Sequence, residues 1–498
     1  MPCTTILVGK RASNDGSTIV ARNDDSYNGE FTPKRLAVVL PDEQPRTYTS
    51  VIGHLSIKLP DNPMRYTSMP NALPGEGIWA AAGINEANVG MSATETITSN
   101  GRVLAADPLV VYQPAQGTPG DADYQPEQAG GIGEEDMVTL VLPYIRSARE
   151  GVLRLGSLLE RFGTYEMNGI AFHDTNEIWW LETVGGHHWI ARRVPDDCYV
   201  AMANQLGIDW FDLADAEGRG RGFLCSQDLR SFVEKNSLDL TIRDHWGIGS
   251  HGEPANVFNP RLAFGSASDS DHVYNTPRTW AIQRYLNPRT SLWDGPDADY
   301  EPTSDDIPWC RVPERAITME GVKHALSLHY QGTPYDPYGT TDPQQRYRPI
   351  GINRTSQLSA TQLRGDLGKT LALHWIAFGS NPFNALVPLF ANVDAMPAYF
   401  STTDAEVSTK SFYWANRLIG ALADASYKRS LPHVERYQKL VISSARRILV
   451  DATRNQTPRK EANEHIARMV HDQTEDLLAK VLYEASMGMR NAFSRSDN

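Results

Sequence analysis

A thiol stands near the start of the chain, in Met1-Pro2-Cys3-Thr4-Thr5-Ile6. A free cysteine inside a protein is ordinarily a small buried hydrophobe. Cys3 differs because Met1 and Pro2 are the residues written ahead of it, and once they are removed a thiol and a free α-amino group share one residue. An α-amine with an ordinary pKa near ~8 accepts the proton of a thiol near ~8.5 around neutrality. Such a residue carries its own general base, where an internal Ser or Cys needs a separate one. Methionine removal before proline is ordinary chemistry, but it leaves the Pro2–Cys3 bond to be cut in a second step. Attack of the Cys3 thiol on the preceding carbonyl is one route.

The second cluster is Ala21-Arg22-Asn23-Asp24-Asp25. Read alone it is a solvated charged turn. Beside Cys3, a guanidinium would lower the thiol pKa and favour thiolate, and a carboxylate could hold the α-ammonium. Other candidates carry less. His187 and His188 are adjacent in a strand-like context, and neighbouring strand residues point to opposite faces, so the two are not expected to share a metal. His324 and His329 lie five apart, outside the i, i+4 register of helical zinc sites, and no HExxH occurs. Asp269, Asp271 and His272 read as a polar, solvated turn. No GxSxG elbow, Walker A loop or dinucleotide GxGxxG is present, and the tryptophans read as core and loop anchors.

The elements that must position these groups begin with Thr4–Val8, the turn signal Asn14-Asp15-Gly16 and a second β-branched run from Ser17 to Ala21. That is a hairpin, and it returns the Arg22–Asp25 cluster to the side of Cys3. Ile78–Ala82 and Val89–Ala93 flank a second tight turn at residues 83–88. Residues 112–133 are rich in Gly, Pro, Gln and Asp and read as an exposed loop. Apolar spacings of three and four predict helices over 136–148 and 151–162. Strands follow at 169–173, 177–182 and 199–202. The chain is mixed beyond about 208, with Pro- and Asp-rich loops or lids near 287–308 and 331–350. Residues 405–495 show strong helical amphipathicity. Strand hairpins alternating with paired helices predict a layered α+β architecture.

Composition narrows the function classes. With 498 residues, 41% of them hydrophobic, the chain can bury a large core. No stretch approaches the ~18 unbroken apolar residues of a membrane helix. The four cysteines are scattered without a CxxC pair, which fits a reducing cytoplasm rather than a disulfide framework or a zinc site. Lys plus Arg total 47 against 60 Asp plus Glu, a net charge of −13 that opposes binding to phosphate backbones.

Several of these segments, in order, resemble the C69 dipeptidase family, relatives of penicillin V acylase and the bile salt hydrolases. They are Cys3-Thr-Thr-Ile, Gly16 to Asp25, Gly83-Ile-Asn-Glu86, Glu134-Glu135-Asp136, Leu140 to Tyr144 and Trp179-Trp-Leu-Glu182. Ala203-Asn204-Gln205, Tyr274 to Trp280 and Gly332 to Pro337 continue the series. The resemblance implies a four-layer αββα sandwich of the N-terminal nucleophile type over residues 3–400, with loop insertions near 112–133 and 287–350. A helical C-terminal region, 401–498, would pack on it. It implies Cys3 as nucleophile, Arg22 and Asp25 as its flanking pair (Asp24 being the other register), Asn204 as an oxyanion donor and Arg278 as a second, more distant arginine.

At the place of a further oxyanion asparagine in the acylases this chain has Ala93-Thr94-Glu95. Either a backbone N–H supplies that donor, or Glu95 binds the ammonium of an unblocked peptide. The expected activity is hydrolysis of dipeptides through a thioester, with no metal or organic cofactor. The expected partners are small peptides and further copies of the chain, not nucleic acid or membrane. The alternatives are an acylase acting on a non-peptide amide and a non-catalytic protein similar to the secernins.

Overall fold

The computed structural model describes residues 3–27, 30–75, 77–244, 248–249, 254, 256–366 and 369–489. In chain order the strands that build the site are β1 (Cys3–Val8), β2 (Thr18–Asp25), β3 (Ala82–Ile84), β4 (Gly90–Thr96), β5 (Asn168–His173), β6 (Ile178–Val184) and β7 (His188–Arg193). They continue with β8 (Tyr199–Met202), β9 (Phe223–Cys225), β10 (Cys310–Arg311), β11 (Thr355–Asp366), β12 (Lys369–Phe378) and β13 (Val387–Phe390). One antiparallel sheet runs β10-β8-β1-β2-β11-β12-β13 and a second runs β9-β7-β6-β5-β4-β3. The helices around them are α1 (Glu134–Val141), α2 (Ala148–Phe162), α3 (Thr276–Leu286), α4 (Met319–Ala325), α5 (Phe412–Ala425), α6 (Tyr427–Asn455) and α7 (Arg459–Met487).

Side chains alternate across a strand, and three apolar clusters follow. Leu7, Val20, Val200 and Met202 from the first sheet meet Trp180, Val184 and Ile190 from the second. The opposite face of the first sheet, with Ile6, Ile19, Ala21 and Leu358, packs on Trp280 of α3, Val322 of α4, Ile419 of α5, Val441 of α6 and Val470 of α7. The outer face of the second sheet, with Met91, Phe172, Trp179 and Leu181, packs on Val138 of α1 and on Val152 and Leu155 of α2. Ser147 caps α2 by accepting the Glu150 N–H at 3.2 Å, which satisfies one of the donors that a helix start leaves open.

The hairpin forms in the register that matters. Cys3 stands opposite Asp24 and Thr5 opposite Arg22. On the other side of β1, Thr5 stands opposite Met202 of β8, so the chain leaves β8 beside Cys3 and reaches Asn204 two residues later. That turn is anchored from the second sheet. Glu182 accepts from the Gly207 N–H at 2.7 Å and from Trp180 Nε1 at 3.0 Å.

Three sequence expectations change. The stretch read only as mixed contains the long paired strands β11 and β12, with β11 hydrogen-bonded to β2. Asp269–Tyr274 is a helix rather than a solvated turn, because Asp271 is buried, completes a capping box with Ser268 and accepts from Asn275 Nδ2 at 2.6 Å. The helix predicted over 136–148 instead breaks into α1 and a 3₁₀ turn at Leu142–Tyr144, where Pro143 stands. No helix among the described residues is long and apolar enough to cross a membrane.

Candidate active site

Cys3 opens β1 and is fully buried. Its Sγ accepts from Arg22 Nη1 at 3.0 Å, and its N–H donates to Asn204 Oδ1 at 3.2 Å. Arg22 reaches the sulfur because its guanidinium is fixed by the second sheet. It donates to the carbonyls of Ala93 (2.8 Å), Ala81 (3.3 Å) and Thr94, while Nε donates to Ser92 Oγ at 3.2 Å. Glu134, the first residue of α1, lies 3.4 Å from the same Nη1. Burial pushes the Cys3 thiol far above its ordinary range, and this outweighs the pull of the Arg22 guanidinium toward thiolate.

The two adjacent aspartates separate by strand alternation. Asp24 faces the same side as Cys3, pairs with the buried Lys34 ammonium at 3.3 Å and accepts from Gln357 Nε2 at 3.4 Å. Burial pushes its pKa up, but Lys34 and Arg22 hold it below the usual carboxylate range. Its Oδ1 is buried without a hydrogen-bond partner among the described residues. Asp25 points to the other face, where it accepts from Thr355 Oγ1 at 2.6 Å and pairs with Arg348. The hairpin register therefore sets Asp24 across from Cys3, with Asp25 one face away.

Asn204 and Arg278 meet at the Cys3 backbone. Asn204 Nδ2 donates to the Thr96 carbonyl at 2.8 Å. Arg278, on α3, donates to Asn204 Oδ1 at 2.6 Å, to Thr4 Oγ1 at 2.8 Å and to the Cys3 carbonyl. Burial, reinforced by nearby Arg348, lowers its pKa to about 10. Glu95 lies fully buried between the sheets and accepts from Thr5 Oγ1 at 2.7 Å, while Oε1 has no hydrogen-bond partner among the described residues. Burial pushes its carboxyl up to about 7 against the opposing pull of Arg278.

Cys3, Arg22, Asn204, Arg278 and Glu95 thus converge on one end of β1. The Met1-Pro2 segment lies outside the described residues. Sequence reasoning missed Lys34, which sits in a loop with no local signal, and Arg348, in a stretch read only as a loop or lid. His187 and His188 do turn together, because His187 precedes the strand. Both rings bond the Asp107 carboxylate, at 2.9 and 2.6 Å. Among the described residues no group of three or more His, Cys, Asp or Glu is arranged to hold a metal ion.

A buried thiol fixed by a guanidinium, with an asparagine and a second arginine at its own backbone, defines a candidate cysteine nucleophile centre. The sequence model of Peptidase family C69 matches residues 2–440. The chain is 53% identical to a protein named dipeptidase from Bifidobacterium longum, with all of both chains covered. It is 51% identical to a probable dipeptidase A of Streptococcus pyogenes serotype M3, again over both full lengths. It is 43% identical to dipeptidase A of Lactobacillus helveticus, with 86% of this chain and 82% of that protein covered. The chain belongs to peptidase family C69, and it is a peptidase.

Proposed function

We propose that this protein is a cysteine-dependent dipeptidase of the reducing cytoplasm, built as an αββα N-terminal nucleophile hydrolase over residues 3–400 with the C-terminal helices packed against it. The observation that carries this reading is the 3.0 Å contact between Arg22 Nη1 and Cys3 Sγ at the very start of β1. Removal of whatever precedes Cys3 would free the α-amine as an acceptor for the thiol proton, and the Arg22 guanidinium favours the thiolate that results.

In the first step the α-amine takes the thiol proton and Sγ attacks the scissile carbonyl carbon. The carbonyl π bond opens to an oxyanion beside Asn204; one such donor lowers a barrier by about 3 kcal/mol. The C–N bond then breaks, and the leaving amine takes the proton back from the α-ammonium. A water then gives one proton to the α-amine as its oxygen attacks the thioester carbonyl; the C–S bond breaks to release the acid product, and the sulfur takes the proton back from the α-ammonium. Arg278 keeps Asn204 and the Cys3 carbonyl in place. An aspartate of the Asp24-Asp25 pair holds the α-ammonium. Glu95 supplies a carboxylate for the free ammonium of the substrate, in keeping with its unpartnered Oε1.

The names of the relatives favour dipeptides as substrates. The test is Cys3→Ala and Cys3→Ser assayed on neutral dipeptides. Loss of the nucleophile is expected to cost about four orders of magnitude or more in kcat. Dipeptide cleavage at the wild-type rate by Cys3→Ala would remove Cys3 from the chemistry.

A further inference from the structure

Lys34 is fully buried, and its Nζ lies 3.3 Å from Asp24 Oδ2 and donates to the Trp79 carbonyl at 3.0 Å. A buried ion pair is poor evidence of stabilisation, because taking both charges out of water costs about as much as their attraction returns. The thioester route gives Lys34 no task. Its position is nevertheless specific. Asp24 is the cross-strand partner of Cys3, and directly opposed residues on one face of a sheet hold their Cβ atoms about 4.5–5.5 Å apart.

The lysine is tied to the sulfur from a second side. The Trp79 carbonyl that holds Lys34 and the Ala81 carbonyl that accepts from Arg22 Nη2 at 3.3 Å belong to one three-residue stretch ahead of β3. Trp79 and Ala81 both stand in the left-handed region, at φ 47° and 57°, a conformation that residues other than glycine rarely adopt. The stretch thus aims two carbonyls at two cations, Lys34 and the guanidinium that holds Sγ.

Donors and acceptors at Cys3 do not balance while a residue precedes it. The Cys3 N–H is one donor, and Asn204 Oδ1 takes it at 3.2 Å. Asp24 Oδ2 takes Lys34 and Gln357, whereas Oδ1 is buried with no hydrogen-bond partner among the described residues. A free α-ammonium carries three donors, and that oxygen, on the residue directly across the hairpin, is an open acceptor for one of the other two. Asp25 does not compete for it, since it points to the other face, against Arg348.

We infer that Lys34 is a positioning residue for the nucleophile: its ammonium holds Asp24 in place and counters its charge, so that Asp24 Oδ1 takes a hydrogen of the freed Cys3 α-amine without locking that amine as an ammonium. The inference rests on the N-terminal nucleophile reading and deepens it. The amine must be neutral to take the thiol proton. A carboxylate with no countercharge in a dry site would hold it protonated. Lys34 supplies that countercharge.

The test is the pH dependence of kcat on a neutral dipeptide in Lys34→Met, Lys34→Arg, Asp24→Asn and the double variant Lys34→Met/Asp24→Asn. The acid limb of kcat reports groups in the enzyme–substrate complex. The other charged or titratable groups that face Cys3 and Asp24 are Arg22, Glu95 of β4, Glu134 of α1, Arg278 of α3 and Tyr413 of α5, and all stay unaltered. Lys34→Met is expected to move the limb up by about one pH unit and Asp24→Asn to move it down by about as much, the scale of one nearby charge. Lys34→Arg is expected to keep the wild-type limb. The double variant, which leaves no unpaired charge behind, is expected to match Asp24→Asn. A Lys34→Met limb at the wild-type position overturns the inference. So does an equal upward shift by Lys34→Met in both backgrounds, since the lysine would then act without Asp24. Should Lys34→Met not fold, an unmoved limb in Asp24→Asn is enough to overturn it. Dipeptide cleavage by Cys3→Ala overturns the nucleophile reading as well, whereas an unmoved limb leaves that reading standing.

Discussion

Cys3 and Glu95 present the same physical problem, an anion that burial disfavours. Each is a group whose charged form the fold disfavours by burial, and each sits where a charged form would be useful. Arg22 partly offsets that penalty for the thiol, and Arg278 for the carboxyl. Because the folded pKa of Glu95 is raised to about 7, the folded protein binds a proton there that the unfolded chain has lost. Its contribution to stability is complete below the unfolded value and disappears as pH rises through about 7.

Two consequences can be measured. Glu95→Gln is expected to be more stable than the wild type above pH 7, with the advantage vanishing toward pH 5. If Glu95 binds the substrate ammonium, KM for free dipeptides falls in the wild type as pH rises through 7, and Glu95→Gln loses that dependence. An unchanged KM–pH profile in the variant removes Glu95 from the site. Of these residues, Cys3 and Arg22 were legible because hairpin spacing brings them together. Lys34 and Arg348 were not, since nothing local marks a loop residue whose partner comes from β2.

At the scale of elements, the family motifs turn out to be mainly devices that hold backbone. Gly83 in β3 has no room for a side chain. A Cβ there would lie 1.8 Å from the Thr67 carbonyl oxygen. Asn85, two residues on, donates to the carbonyls of Leu142 (2.8 Å) and Ile145 (2.7 Å), which docks the end of α1 onto the second sheet. Gly83→Ala is therefore expected to destabilise the protein by about 3 kcal/mol through forced separation of backbone. Urea titration should show a lowered midpoint at an unchanged slope, and an unchanged midpoint would contradict the close approach.

The first hairpin, β5, β6, α2 and the C-terminal helices were readable from turn signals and periodicity. The β11–β12 pair was not, because β11 breaks the alternation with a bulge at Thr355/Gln357 and carries Gln, Ser and Thr toward buried partners. The β8–β10 pairing likewise sets Cys310 opposite Val200, two residues from Cys198 and far from it in the sequence, which no spacing rule reveals.

Across the whole molecule, the site lies where two sheets and an outer helical layer meet, and each supplies what the others lack. The first sheet delivers Cys3, Arg22 and Asp24, the second supplies the carbonyls that fix Arg22, and α3 brings Arg278 to the Cys3 backbone. The C-terminal helices stay away from the chemistry. Asn463 of α7 bonds both the N–H and the carbonyl of Phe390 in β13, at 2.9 and 3.0 Å, which ties the helical hairpin to the far edge of the first sheet. In the sequence, layers and charge could be anticipated, but how the helices stack could not, because long-range packing leaves no short pattern.

The central proposal remains that the sulfur works beside its own free amine. Intact-mass measurement of active protein, with Cys3 labelled by a thiol-directed inhibitor in proportion to lost activity, tests it directly. The predicted result is a chain that begins at Cys3. Fully active protein with any residue still joined ahead of Cys3 would contradict it.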